Sequence, residues 1–184
     1  MHRYSLINYV EIEKIVGSVV LFENEVIFDN KESARFCGYK FMEANEKVFA
    51  SAETIFFHTM IAKAIKIGLR KGILNEEDLF KTDGFVKNKL IKSQDRKIMK
   101  LLDLISKDTL LVACEENYDL HLRVKTRLPD PKYLDNGRVF KLSEVDSDFC
   151  NAMNEASKRG SDGHRVQVKH SGVLDYQEIA GLMV

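Results

Sequence analysis

Apolar and small residues recur at Phe41, Ala44, Val48, Ala52, Ile55, Thr59 and Ala62, in steps of three and four. That spacing places them on one face of an α-helix. A second strip, Phe49, Phe56, Met60, Ala64 and Ile67, widens the face. The stretch from Phe41 to Leu69 runs nearly thirty residues without Pro and meets Gly only near its end. So broad an apolar surface needs cover on more than one side. The pattern predicts a long central buried helix closing near Gly68 or Gly72. Ser51, Glu53 and His58 interrupt the strip, and each is expected to be a bonded or solvated side chain.

The periodicity changes on either side. YVEIEKIV near the N-terminus is a short amphipathic piece. Two β-rich runs, Val19–Phe22 and Val26–Phe28, flank Glu23-Asn24-Glu25 and predict a hairpin. Asp29 or Asn30 is expected to cap a short helix from Lys31 to Cys37, with Gly38 as its stop. After the central helix, Asn75 with Asp78 three residues on marks a helix start. Thr82 opens DGFVKNKLIK, and Ser93 is expected to cap Gln94 to Lys107. From Asp108 onward the pattern alternates. TLLVACEE and YDLHLRVKTRL read as strands joined at Glu116-Asn117. Asp135-Asn136-Gly137 reads as a turn before a strand from Arg138 to Lys141. Ser143 with Asp146 resembles a capping box for DSDFCNAMNEASKR, which carries Phe149, Met153 and Ala156 on one face and Gly160 as its stop. HRVQVK, 164–169, is one more strand, and the tail to Val184 has weak periodicity. The fold expected is mostly α, with a small α+β subdomain at the C-terminal end. Residues 1–107 form a helical domain with a short hairpin, and residues 108–184 form the α+β part.

Composition narrows the class. The chain has 184 residues, 45% hydrophobic, enough for one good core or a core with a small satellite. Lys+Arg and Asp+Glu both number 28, so no global field draws the protein to nucleic acid or to an anionic membrane. Cys37, Cys114 and Cys150 are far apart and form no C-x-x-C pair, as expected of free thiols in a reducing compartment. No apolar run approaches the roughly 20 residues of a membrane span. A cytoplasmic protein is expected.

The familiar chemical motifs are missing. There is no Gly-rich phosphate loop, no G-x-S-x-G and no H-E-x-x-H. Ser51 and His58 are two helical turns apart, about 10.5 Å along the axis, too far for a Ser–His hydrogen bond. Asp119 and His121 share a strand face but make a weak metal pair. The most suggestive pattern is His121, Arg123, Lys125 and Arg127. Period-two spacing sets all four on one side of a strand, with Leu120, Leu122 and Val124 toward the core. Forked Arg donors and a Lys point charge suit phosphate, although alternation also describes an ordinary solvated sheet face. No aromatic residues interleave, which argues against single-strand nucleic acid. Lys158, Arg159, His164 and Arg165 join the patch if the last strand pairs alongside.

Taken in order, these segments resemble a known family. VEIEKIV precedes the strand pair VVLFENEVIFD. NKESARFCGYKFMEANEKVF leads into the long helix, followed by KAIKIGLRKGILNEEDLFKTDGFVKNKL with its Thr82-Asp83 step. LRVKTRLPDPKYLDNGRVFKLSEVDSDF closes the series. The chain resembles, over roughly residues 9 to 168, the portion of HD-domain phosphohydrolases C-terminal to their catalytic core, as in the deoxynucleoside triphosphate triphosphohydrolase-like branch. The metal-binding His, His-Asp and later Asp of that family are not here, and no His-Asp dipeptide occurs. The family's common Tyr-Phe-His step is replaced by Val48-Phe49-Ala50-Ser51, and His58 stands where a Glu is usual.

The resemblance implies a non-catalytic portion of an HD-type enzyme, either the complement of a catalytic chain or a remnant. Mg or Mn would enter only if a partner supplied the HD motif. A regulatory nucleotide module using the basic stretch 121–127 is the alternative. A hydrolase with a rebuilt metal site at Glu53, His58 or Asp119/His121 is a further one. Without a catalytic half, the chain is expected to expose apolar surface and to form a homo-oligomer or a complex with an HD chain.

Overall fold

In a computed structural model, residues 6–123 and 126–170 are described. The chain is mostly helical, with two small sheets. No single helix among the described residues is long and apolar enough to cross a membrane. Two compact units emerge from the contacts. The first joins residues up to Ser51 with Arg123–Gly163, and the second joins Ala52–Leu122 with the chain from His164. This grouping does not coincide with the change in composition at 107/108, because each unit is closed by a segment distant in sequence.

In the first unit, Asn8 and Glu11 form a capping box that starts α1 (Tyr9–Gly17). β1 (Val19–Phe22) and β2 (Glu25–Phe28) pair antiparallel, with Leu21 opposite Val26. Glu23 and Asn24 both have positive φ, 46° and 65°, the handedness that matches hairpin twist. A second hairpin, β5 (Lys132–Asp135) and β6 (Arg138–Lys141), turns on Asn136 and Gly137, again both at positive φ. The hairpins join where β2 meets β5 in parallel, at Phe28 and Tyr133, giving the order β1-β2-β5-β6.

α2 corrects the expected helix boundaries. Asn30 caps it, but it runs from Lys31 through Gly38 to Ala44. Gly38 is no stop. A Cβ there would lie 2.6 Å from Cε2 of Phe149, so the missing side chain lets α2 approach the core ring. Nor does one helix span Phe41 to Leu69. A π turn, Asn45–Phe49, ends with Ala50 N–H donating to Asn45 O at 2.6 Å. α3 (Ala52–Arg70) then starts in the second unit.

α6 (Leu142–Val145) and α7 (Ser147–Asp162) complete the first unit. The expected Ser143 cap is also revised. Asp146 itself caps α7 by accepting from Phe149 N–H at 3.0 Å, while the Ser143 hydroxyl donates to Asp130 at 2.7 Å. Gly163, at φ 68°, follows the helix end expected at Gly160. Phe149 is fully buried with Ala34, Met42, Tyr133 and Leu142, and Met153 and Ala156 pack against this core as their spacing indicated.

The second unit is built on α3, whose Phe56, Met60 and Ala64 are fully buried. Asn75 and Asp78 cap each other at a 3-10 turn, Glu76–Phe80. Thr82 caps α4 (Asp83–Lys92). Asp95, not Ser93, caps α5 (Arg96–Asp103), because the Ser93 hydroxyl bonds back to Leu90 O. β3 (Thr109–Ala113) and β4 (Leu120–Leu122) do not pair with each other. β7 (His164–His170) lies between them, antiparallel to both. The strand expected over 118–128 is therefore only three residues long. β7 begins at His164, opposite Leu122, the last residue of β4.

Candidate functional site

The shortened β4 divides the basic stretch. Leu120 and Leu122 are buried, as alternation required, and His121 between them is half-buried. Arg123 and Arg127 are exposed but lie beyond the strand, in the other unit, and Lys125 lies outside the described residues. Of the described positions among the four, only His121 lies within β4. The last strand does pair alongside, setting Arg165 opposite His121. Arg165 bonds Glu115 at 2.8 Å and lies 6.0 Å from the centre of the Tyr118 ring, which meets His121 edge-on at 5.9 Å. Arg159 on α7 pairs with Glu46 at 3.3 Å.

The other sequence candidates have structural roles or exposed positions. Ser51 Oγ donates to Val48 O, and Glu53 and His58 are on the exposed side of α3. Asp119 accepts Val168 N–H at 2.7 Å and so holds the edge of β7. Among the described residues no group of three or more His, Cys, Asp or Glu side chains could hold a metal ion. Burial pushes the Cys37 thiol up, which keeps it protonated and weakens it as a nucleophile.

Three arrangements escaped the sequence reading. Thr109 Oγ1 lies 2.8 Å from His170 Nδ1, and His170 Nε2 lies 3.1 Å from Asp103. The order hydroxyl, imidazole, carboxylate is that of a nucleophilic relay. Yet the one hydroxyl proton of Thr109 is directed to Leu104 O at 2.8 Å, so none is offered to the imidazole. The trio fastens the end of β7 to the turn after α5. No sequence spacing announces it, since 61 residues separate Thr109 from His170.

The second arrangement is Lys63, Lys66 and Arg70, three cations along α3. Burial first, then repulsion from Lys66 and Arg70, pulls the Lys63 ammonium below its ordinary value. Their spacing of three and four was visible in KAIKIGLR. The third is an apolar cleft of about 330 Å³ in the second unit, between α3, the 3-10 turn, α4 and α5. Its polar groups are Lys81, Asp83 and Lys87.

Comparison with known proteins adds one likeness. The chain is 27% identical to the uncharacterized protein YdhJ of Bacillus subtilis (strain 168) over 157 residues, which are 85% of this chain and 48% of the relative. The chain thus spans about half the length of the curated relative it matches. No family model matches the chain. No solved structure matches it.

Proposed function

We propose that this chain is a non-catalytic portion of an HD-type phosphohydrolase, completing a catalytic part carried by other residues. The order of its segments supports this, as does a match confined to about half of a longer relative. The observation that carries the reading is an apolar surface on the first unit. α1 is well capped yet buries no residue, and Tyr9, Val10 and Val16 are 73%, 72% and 66% exposed. On the hairpin, the cross-strand pair Leu21 and Val26 are 73% and 75% exposed. Apolar side chains of this kind, gathered on neighbouring elements, mark interfaces. In such an assembly the His, His-Asp and later Asp that the resemblance places in the catalytic part would hold Mg or Mn. A cytoplasmic location goes with this reading.

The test pairs the chain with the portion of the Bacillus relative that it does not match. Co-elution is expected, with hydrolysis of deoxynucleoside triphosphates in Mg²⁺ or Mn²⁺ only in the mixture. Leu21→Glu with Val26→Glu is expected to abolish co-elution. Hydrolysis by this chain alone, or co-elution indifferent to the two charges, refutes the proposal. Failure to co-elute, or co-elution without hydrolysis, refutes the completion of a catalytic part and leaves the remnant as the alternative.

A second reading, a regulatory nucleotide module at His121, Arg123, Lys125 and Arg127, draws on the exposure of Arg123 and Arg127. Replacing Arg123, Lys125 and Arg127 by Ala is then expected to remove a nucleotide-induced thermal shift. An unchanged shift refutes it.

A further inference from the structure

Phe80 is the most exposed of the large apolar side chains described, at 90%. It follows Leu79 and precedes Lys81, both of which line the apolar cleft of the second unit. Phe80 does not line it. In a 3-10 turn successive residues step by about 120°, so neighbours of an inward residue point away from it. The turn is also firmly held. Asn75 and Asp78 cap each other, Lys81 N–H bonds Asp78 O at 3.1 Å, and Lys89 reaches Asp78 at 2.7 Å. A fixed aromatic knob therefore stands on the rim of an apolar hole that it does not fill.

We propose that this face is a homotypic interface, in which Phe80 of each copy enters the cleft of a second copy. A knob and a hole side by side on one surface are what a two-fold contact requires, since the same patch meets itself. The rim charges agree. Among the lining residues Lys81 and Lys87 carry one sign and Asp83 the other, and Glu76 and Glu77 are exposed on the same 3-10 turn as Phe80. A rim of one sign would repel its own copy, whereas this one sets lysines against carboxylates. Leu79, Phe85 and Ile61, at 45%, 44% and 39% exposure, extend the apolar area around the knob. An aromatic side chain buries about 150–250 Å², so two knobs and their surroundings make a small interface and a concentration-dependent dimer. This inference concerns the second unit and does not depend on the function proposed above.

The test is sedimentation velocity of the full chain across a dilution series. The parent is expected to move from monomer toward twice the monomer mass as concentration rises. Phe80→Ser is expected to weaken the dimer by about 30-fold or more, the effect of losing an aromatic hot spot. Gly84→Met plugs the hole instead. Its Cβ meets nothing within 4 Å, and the change favours α4, so folding is preserved. It too is expected to be monomeric. Mixing the two variants restores association, because one keeps the hole and the other the knob. Matching melting curves establish that both variants fold. A parent that stays monomeric throughout overturns the proposal. So does Phe80→Ser dimerising as tightly as the parent, or native mass spectrometry showing a small apolar ligand in the cleft of the monomer.

Discussion

Gly38 to Ala is the most discriminating single change in the first unit. Helix propensity favours the substitution, since Gly inside a helix costs about 0.5–1 kcal/mol relative to Ala. Packing opposes it. The new Cβ would lie 2.6 Å and 2.7 Å from Cε2 and Cζ of Phe149, with Pro131 at 3.3 Å. Carbon atoms rest at about 3.5–4.0 Å, so the ring must retreat by about 1 Å. It has little room to do so. Phe149 is fully buried, met edge-on by Tyr39 at 5.4 Å and packed with Ala34, Met42 and Leu142. Overpacking of this kind costs about 1–3 kcal/mol, so the steric effect outweighs propensity and Gly38→Ala loses about 1–2 kcal/mol. Urea denaturation followed by circular dichroism measures it. Phe149→Leu shortens the ring and relieves the clash. The double variant is therefore expected to fall short of additivity by about 0.5–2 kcal/mol. A Gly38→Ala protein as stable as the parent, or strict additivity, refutes the reasoning.

Gly72 tests the opposite cause. It follows α3 at φ 68°, and a Cβ there would touch nothing, so Gly72→Ala is expected to cost about 1 kcal/mol by backbone strain alone, with Gly72→Asn costing less; equal midpoints for all three proteins would remove the argument. Asp146 tests acid stability. The N–H of Phe149, then Arg35 and Lys31, hold its carboxyl below the ordinary value against the opposing effect of burial. A folded-state value below the unfolded one adds stability above about pH 4 that is lost as pH falls through the folded value. Asp146→Asn keeps the cap but not the charge, so its urea midpoint is expected to vary less with pH below 4; parallel profiles would show that the carboxylate contributes no such term. Thr109→Val leaves Nδ1 of His170 without its hydroxyl partner at a part-buried position. A loss of about 1 kcal/mol in the second unit is expected, seen as faster hydrogen exchange along β7.

Local chemistry was legible wherever a few neighbouring residues decide the outcome. Asn75 with Asp78 and Thr82 act as the caps their side chains predict. Asn136-Gly137 makes its turn because Gly and Asn tolerate positive φ. Phe149, Met153 and Ala156 share a face because 3.6 residues make a turn. The strand expected over 118–128 is shorter than its alternation suggested, for a reason outside its own residues. Alternation over 118–128 describes a strand, but a strand lasts only as long as its partner, and β7 starts at His164.

By itself the sequence determined the mostly helical class, the first hairpin, the turn at Asn136-Gly137 with the strand after it, and the alternation that buries Leu120 and Leu122. All of these rest on periodicity and on backbone preferences within a few residues. Tertiary structure alone decided that the apolar stretch from Phe41 breaks into α2, a π turn and α3. It decided that Gly38 is a contact and not a stop, because Phe149, over a hundred residues later, comes to lie against it. It also joined β2 to β5, set β7 between β3 and β4, and left Phe80 beside an unfilled cleft. Each of these depends on which distant surfaces meet, and no local spacing encodes that.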